Sequence, residues 1–186
     1  MKTAGIINCL ENFPVIAAAD SESFDNAVKS GCEIIFHINA DLNTLPKQIK
    51  EAEKSGKKVF VHIDLSEGIG KDKSGILWLK NIGAAGVIST RSQLIKYAKE
   101  IGLLAVQRFF VLDSKGIHSI KETLSAFKPD MIEIMPGVIP KAISNFKNTG
   151  IPVIAGGLVE TDKEVITALN SGAVAVSTGK SELWNE

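Results

Sequence analysis

Residues 151–160 read IPVIAGGLVE and residues 173–180 read AVAVSTGK. Each is a β-branched and small apolar run that ends in glycine or small hydroxyl residues, the pattern of a buried strand whose exit needs backbone freedom. The exits are Gly156, Gly157 and Leu158 in the first run, and Ser177, Thr178 and Gly179 in the second, with Lys180 just after. Glycine lets backbone N–H groups close on an anion, and paired loops after the last two strands are where a (β/α)8 barrel usually holds a phosphate. The two runs therefore predict a fold and, with it, a phosphate site made of Gly156, Gly157, Thr178, Gly179 and Lys180.

Upstream, the same kind of run recurs. Strand-like segments cover Val15–Asp20, Glu33–Asn39, Val59–Leu65, Ala85–Thr90, Leu104–Asp113 and Met131–Pro136. Between them lie amphipathic stretches with helical spacing, such as Leu45–Ser55, Ser92–Ile101, Ile117–Phe127 and Asp162–Ser171. Gly31, Gly56, Gly83, Gly102, Gly150 and Gly172 each stand where a helix hands over to the next strand, the place for a left-handed C-terminal cap. Eight strands alternating with seven helices give a parallel sheet. A closed barrel is the predicted α/β architecture; a doubly wound open sheet is the alternative. At 186 residues the chain is short for such a barrel, so loops must be minimal and the last helix truncated to Ser181–Glu186. Residues 1–13 read as a helical lead-in, and the absence of a linker predicts one domain over residues 1–186.

Bulk composition narrows the function. Twenty-one basic residues balance twenty-one acidic ones, so no global field draws the chain to nucleic acid or membrane. Cys9 and Cys32 lie at no metal-binding spacing among apolar or small neighbours, which predicts buried free thiols. The apolar runs are too short to span a bilayer, and the N-terminus lacks the features of a signal peptide; a cytoplasmic protein is expected.

Chemistry in this fold collects at strand ends. Those ends carry Asp20, His37 with Asn39, Asp64 with Glu67, Arg91, Asp113 and Gly137. Side chains repeat every second residue along a strand, so His62 and Phe60 share a face with Asp64, and Gln107 shares one with Asp113. Buried polar groups need partners, and His37, His62, Gln107 and Glu133 are expected to form one polar layer inside the barrel. Structural core polarity explains any one of them equally well; the set favours ligand contact. The loop from Ser66 to Gly75 suits either a cover over the site or a solvated connector. Gly179, Lys180 and Ser181 resemble the tail of a nucleotide-binding P-loop, but the glycine this requires five positions earlier is Val174. No nucleophile stands in a recognised setting, and the three histidines show no metal spacing, so neither a metal nor a cofactor is expected. Asp64, Asp113 and Glu133 are available for acid–base work, which keeps a small phosphate-handling barrel enzyme as the alternative function. The lysines from Lys47 to Lys58 are interleaved with Glu51 and Glu53, as on a solvated helix face.

Five segments, in order, resemble the glycerol-3-phosphate-responsive antiterminator family. They are VHIDLSEGIGKD at 61–72, AGVISTR at 85–91, VQRFFVLDS at 106–114, IEIMPGVIP at 132–140 and IAGGLV at 154–159. The likeness runs from about residue 14 to residue 184, nearly the whole chain. It implies a barrel-like regulator, not an enzyme, that binds glycerol-3-phosphate and acts on leader mRNA of glycerol-catabolism genes. By motif match the ligand would touch Asp64, Glu67, Arg91, Gln107, Arg108, Glu133, Gly137, Gly156 and Gly157. Two departures stand out. Asp20-Ser21-Glu22 is acidic where the family suggests a basic residue, and Gly179-Lys180 replaces a small polar residue and an amide, which moves phosphate contact toward Lys180. The sequence is compatible with a homo-oligomer.

Overall fold

The computed structural model describes residues 3–185. Eight strands pair in parallel in sequence order: β1 (Val15–Ala19), β2 (Ile34–His37), β3 (Lys58–His62), β4 (Gly86–Ser89), β5 (Leu104–Phe110), β6 (Met131–Met135), β7 (Val153–Gly156) and β8 (Ala175–Thr178). The last pairs with the first, Val15 opposite Val176, and closes the barrel. α1 (Thr3–Asn12) precedes the barrel. Seven helices fill the crossovers: α2 (Phe24–Lys29), α3 (Leu45–Lys54), α4 (Lys73–Asn81), α5 (Ser92–Glu100), α6 (Ser114–Ala126), α7 (Pro140–Ser144) and α8 (Asp162–Asn170). After β8 the chain forms one 3-10 turn, Ser181–Trp184. No helix among the described residues is long and apolar enough to cross a membrane.

Strand alternation sorts the core into two bodies. Side chains facing outward, such as Ala17, Ile35, Val61, Val87, Ala105, Ile132, Ala155 and Val176, pack under the helices. Those facing inward, among them Ile16, Phe36, Phe60, Ile88, Val106, Met131, Ile154 and Ala175, fill the barrel. Ile6, Cys9 and Leu10 of α1 join this second body, so the lead-in helix plugs one end of the barrel. Bulk inside is matched locally: Phe60 stacks tilted on Phe36 at 5.6 Å between ring centres, and a Cβ on Gly86 would lie 2.3 Å from the Phe60 ring. Only glycine fits there.

Both cysteines are buried free thiols, and burial pushes Cys32 up to about 11. Five of the six helix-ending glycines take positive φ; Gly31 does not, and instead donates its N–H to the Trp184 carbonyl at 2.9 Å. That contact, with Trp184 Nε1 donating to the Thr178 carbonyl at 2.9 Å, fastens the terminal turn to the barrel.

Candidate functional site

At the C-terminal ends of the strands, the loops after β7 and β8, with Ala18 and Ile38 on the other side, surround an open cavity of about 400 Å³. Its floor is an ion pair that the barrel brings together from two neighbouring strands. Arg108 stands opposite Glu133 in the β5–β6 register, and its Nε donates to Glu133 Oε2 at 2.5 Å. Ser177 on β8 donates to the other carboxylate oxygen at 2.5 Å. Glu133 is 1% exposed and Arg108 8%, so removing either partner would leave a buried charge alone. Gly156 makes the floor possible: a Cβ there would lie 2.4 Å from Glu133 Oε1 and 2.7 Å from Ser177 Oγ. Gly137, in the loop after β6, meets the same restriction: it donates its N–H to the Gly156 carbonyl at 2.6 Å and has no room for a side chain.

The wall is the pair of loops that the sequence singled out. Gly157, Leu158, Gly179 and Lys180 line the same cavity. Gly157 and Leu158 both take positive φ, +79° and +63°. For leucine this conformation is costly and persists because the surrounding structure holds it. Among the described residues, no acceptor lies within hydrogen-bond reach of the backbone N–H groups of Gly157, Leu158 or Gly179. Thr178, by contrast, is engaged within the protein. Its hydroxyl donates to the Val159 carbonyl at 2.6 Å and accepts from the Lys180 N–H at 3.0 Å, which ties the two loops together. Lys180 lines the cavity, and its ammonium lies 3.5 Å from Glu182 Oε1.

The expected single polar layer is in fact two. His62 and Glu133 point into the barrel, but His37 and Gln107 point the other way, into the helix layer. His37 lies against Phe24, 4.7 Å between ring centres, and its Nε2 is 3.1 Å from Gln48 Oε1 on α3. Gln107 donates to Ser92 Oγ of α5 at 2.8 Å. The correction follows from strand phase: His37 is three residues from the inward Ile34, and Gln107 lies between the inward Val106 and Arg108. His62 is buried beside Arg108 with neither ring nitrogen hydrogen-bonded. Burial, reinforced by the Arg108 charge, pulls it down to about 4, so it is a neutral imidazole at physiological pH.

Other strand-end residues have local duties. Asp113 caps α6, accepting from the Gly116 N–H at 2.8 Å. Asp20 accepts from the Ser23 N–H and hydroxyl at 2.8 and 2.6 Å. Asp64 accepts from Ser89 Oγ, Thr90 N–H and Thr90 Oγ1 at 2.7, 2.7 and 2.8 Å, and lies 3.8 Å from Arg91 Nε. Burial alone would raise its carboxyl, but these hydrogen bonds outweigh it and hold the group below the usual range. Asp64 and Arg91 thus organise the β3–β4 side of the mouth, apart from the cavity. Glu67 is exposed, and its backbone bridges the loop after β3 to Asp41 after β2. The 66–75 loop is anchored: Lys71 Nζ donates to the Ser66 and Ile69 carbonyls, Ile69 is buried, and Asp72 caps α4. Ser177, which the sequence did not assign to the site, lines the cavity. Its phase, two after the inward Ala175, was the signal that would have found it.

Residues 15–184 match the family described as glycerol-3-phosphate responsive antiterminator. The chain is 35% identical over 182 residues to the uncharacterized protein YgcP of Escherichia coli (strain K12), covering 96% of this chain and 95% of that one. The glycerol uptake operon antiterminator regulatory protein of Listeria monocytogenes str. 4b F2365 superposes with a TM-score of 0.87 at 35% identity, over 93% of this chain and 95% of that one. A glycerol uptake operon antiterminator-related protein of Thermotoga maritima MSB8 gives 0.82 at 35% identity, over 91% and 96%.

Proposed function

The chain belongs to the glycerol-3-phosphate responsive antiterminator family, and from that membership we propose that the cavity at the barrel mouth binds glycerol-3-phosphate and that the liganded protein acts on a leader transcript to prevent premature termination. The observation that carries the ligand reading is the set of unpartnered N–H groups of Gly157, Leu158 and Gly179 on one cavity wall. Side-chain charge alone would not suffice, because Arg108 is paired with Glu133 and Lys180 stands near Glu182. Oriented N–H groups bind an anion without a counter-charge of their own. Three or four charge-assisted hydrogen bonds contribute about 1.5–3 kcal/mol each, and a micromolar ligand needs roughly 8 kcal/mol after ordering costs. The phosphate contacts come close to this before ordering is subtracted, so the glycerol hydroxyls must add to them. Arg108 and Glu133 on the cavity floor, with the neutral His62 deeper in the barrel, are the groups for that task.

Thermal unfolding with glycerol-3-phosphate, inorganic phosphate or glycerol at equal concentration tests the ligand. A ligand at one hundred times its Kd stabilises by about 2.7 kcal/mol. The expected outcome is a clear rise in Tm with glycerol-3-phosphate and little with either fragment; equal shifts with phosphate and with glycerol-3-phosphate would overturn the assignment. The regulatory half is tested by titrating a labelled leader transcript with and without the ligand. Superimposable curves sink it, since a ligand without differential affinity shifts no equilibrium.

A further inference from the structure

Although the net charge is zero, the charges are segregated around the barrel. The β8–β1 side, with α2 and α8, carries Asp20, Glu22, Asp25, Glu160, Asp162, Glu164 and Glu182 against Lys29, Lys163 and Lys180. The segment from α6 to the end of the α7 connection, which adjoins α8, carries Lys115, Lys121, Lys128, Lys141 and Lys147, all exposed. The three carboxylates there are all occupied: Glu133 with Arg108, Asp130 with Lys99, and Glu122 beside His118. None of the five ammonium groups has a carboxylate partner among the described residues. The segment therefore has a local excess of positive charge.

The face also has a shape. α7 ends at Ser144, after five residues, and leaves one flank of α6 uncovered. The result is a groove of about 350 Å³ lined by Lys121, Ser125, Lys128, Asn148 and Thr149. Lys121 and Ser125 are four apart on α6 and share a face, and Lys128 follows just beyond the helix end at Ala126. Ammonium, amide and hydroxyl donors along a groove, with no aromatic platform in its lining, suit phosphate and sugar contacts in preference to base reading.

We infer that the α6–α7 face is where this protein holds the RNA backbone. The inference rests on the antiterminator reading above and adds the surface. The groove stands at the end of the barrel away from the ligand cavity, since Lys128 leads into β6 and Asn148 and Thr149 lead into β7.

The test compares wild type with two variants of equal charge change: Lys121→Gln/Lys128→Gln/Lys147→Gln on this face and Lys47→Gln/Lys50→Gln/Lys54→Gln on α3. The probe is a labelled 5′-leader transcript of a glycerol uptake operon, titrated over a salt series with glycerol-3-phosphate present, and unchanged Tm values verify folding. Each phosphate contact contributes about 0.7 to the salt slope for single strands, so the α6–α7 variant should lose about 2 units of slope and about tenfold or more in affinity. The α3 variant should stay near wild type. Equal losses in the two variants, or none in the first, overturn the surface while leaving the antiterminator reading standing. A wild-type protein that binds no transcript overturns both.

Discussion

At the scale of single residues, the barrel floor depends on groups that have no freedom to change. Gly156→Ala would drive a methyl into the Glu133 carboxylate and the Ser177 hydroxyl. Overpacking together with a disturbed buried hydrogen bond should cost about 2–4 kcal/mol, read as a fall in the urea midpoint. Shortening the acid in Gly156→Ala/Glu133→Asp should recover some of that loss, a coupling that independent sites would not show. His62 makes a different prediction. Its folded pKa is near 4 against an ordinary 6.5, so the native state refuses a proton that the unfolded chain accepts. The stability it contributes is complete above pH 6.5 and is lost as pH falls toward 4. Burial lowers His37 as well, which adds to the same slope. At pH 5 the His62 share is about 2 kcal/mol, or roughly 4–8 °C in Tm for a chain of this size. Replacing His62 with Leu should flatten the Tm curve between pH 7 and 5 by that amount; an unchanged curve would show that the imidazole is solvated.

At the scale of elements, the barrel makes strand exits and helix entries the same place. A strand end is followed within a few residues by the four unpaired N–H groups of a helix start, and these require acceptors. Asp72, Asp113 and Thr161 supply them for α4, α6 and α8. Acidic residues after strands are therefore expected without any catalytic purpose. Asp113→Ala should cost about 1 kcal/mol in urea unfolding, the usual loss of an N-cap. The same variant should keep the full thermal response to glycerol-3-phosphate; loss of that response would return Asp113 to the ligand site.

At the scale of the whole molecule, one end of the barrel is sealed and the other is open. α1 fills the sealed end with Ile6, Cys9 and Leu10, while the open end keeps Arg108, Glu133 and Ser177 under a cavity. Stability and binding are thereby separated along the barrel axis. Leu10→Ala should lower the urea unfolding free energy by about 2–5 kcal/mol, as for other buried leucines. It should leave the relative response to glycerol-3-phosphate, phosphate and glycerol unchanged, because the cavity lies at the far end.

The order of elements was legible in the sequence. Strand and helix periodicities and glycines at handover points are local properties, and local sterics enforce them. The pairing of the Gly156–Leu158 and Ser177–Lys180 turns was legible too, because β7 and β8 are consecutive and consecutive parallel strands are neighbours. What the sequence left undecided was direction. Whether His37 and Gln107 face the barrel or the helices turns on a one-residue phase, and closure of the barrel settles it. The use of polar groups was equally hidden: Thr178 and Gly179 are adjacent in sequence, yet one hydroxyl ties two loops together while the next N–H stands free. A hydrogen bond between Thr178 and Val159 joins residues nineteen apart in sequence, and only the folded barrel brings such groups within reach.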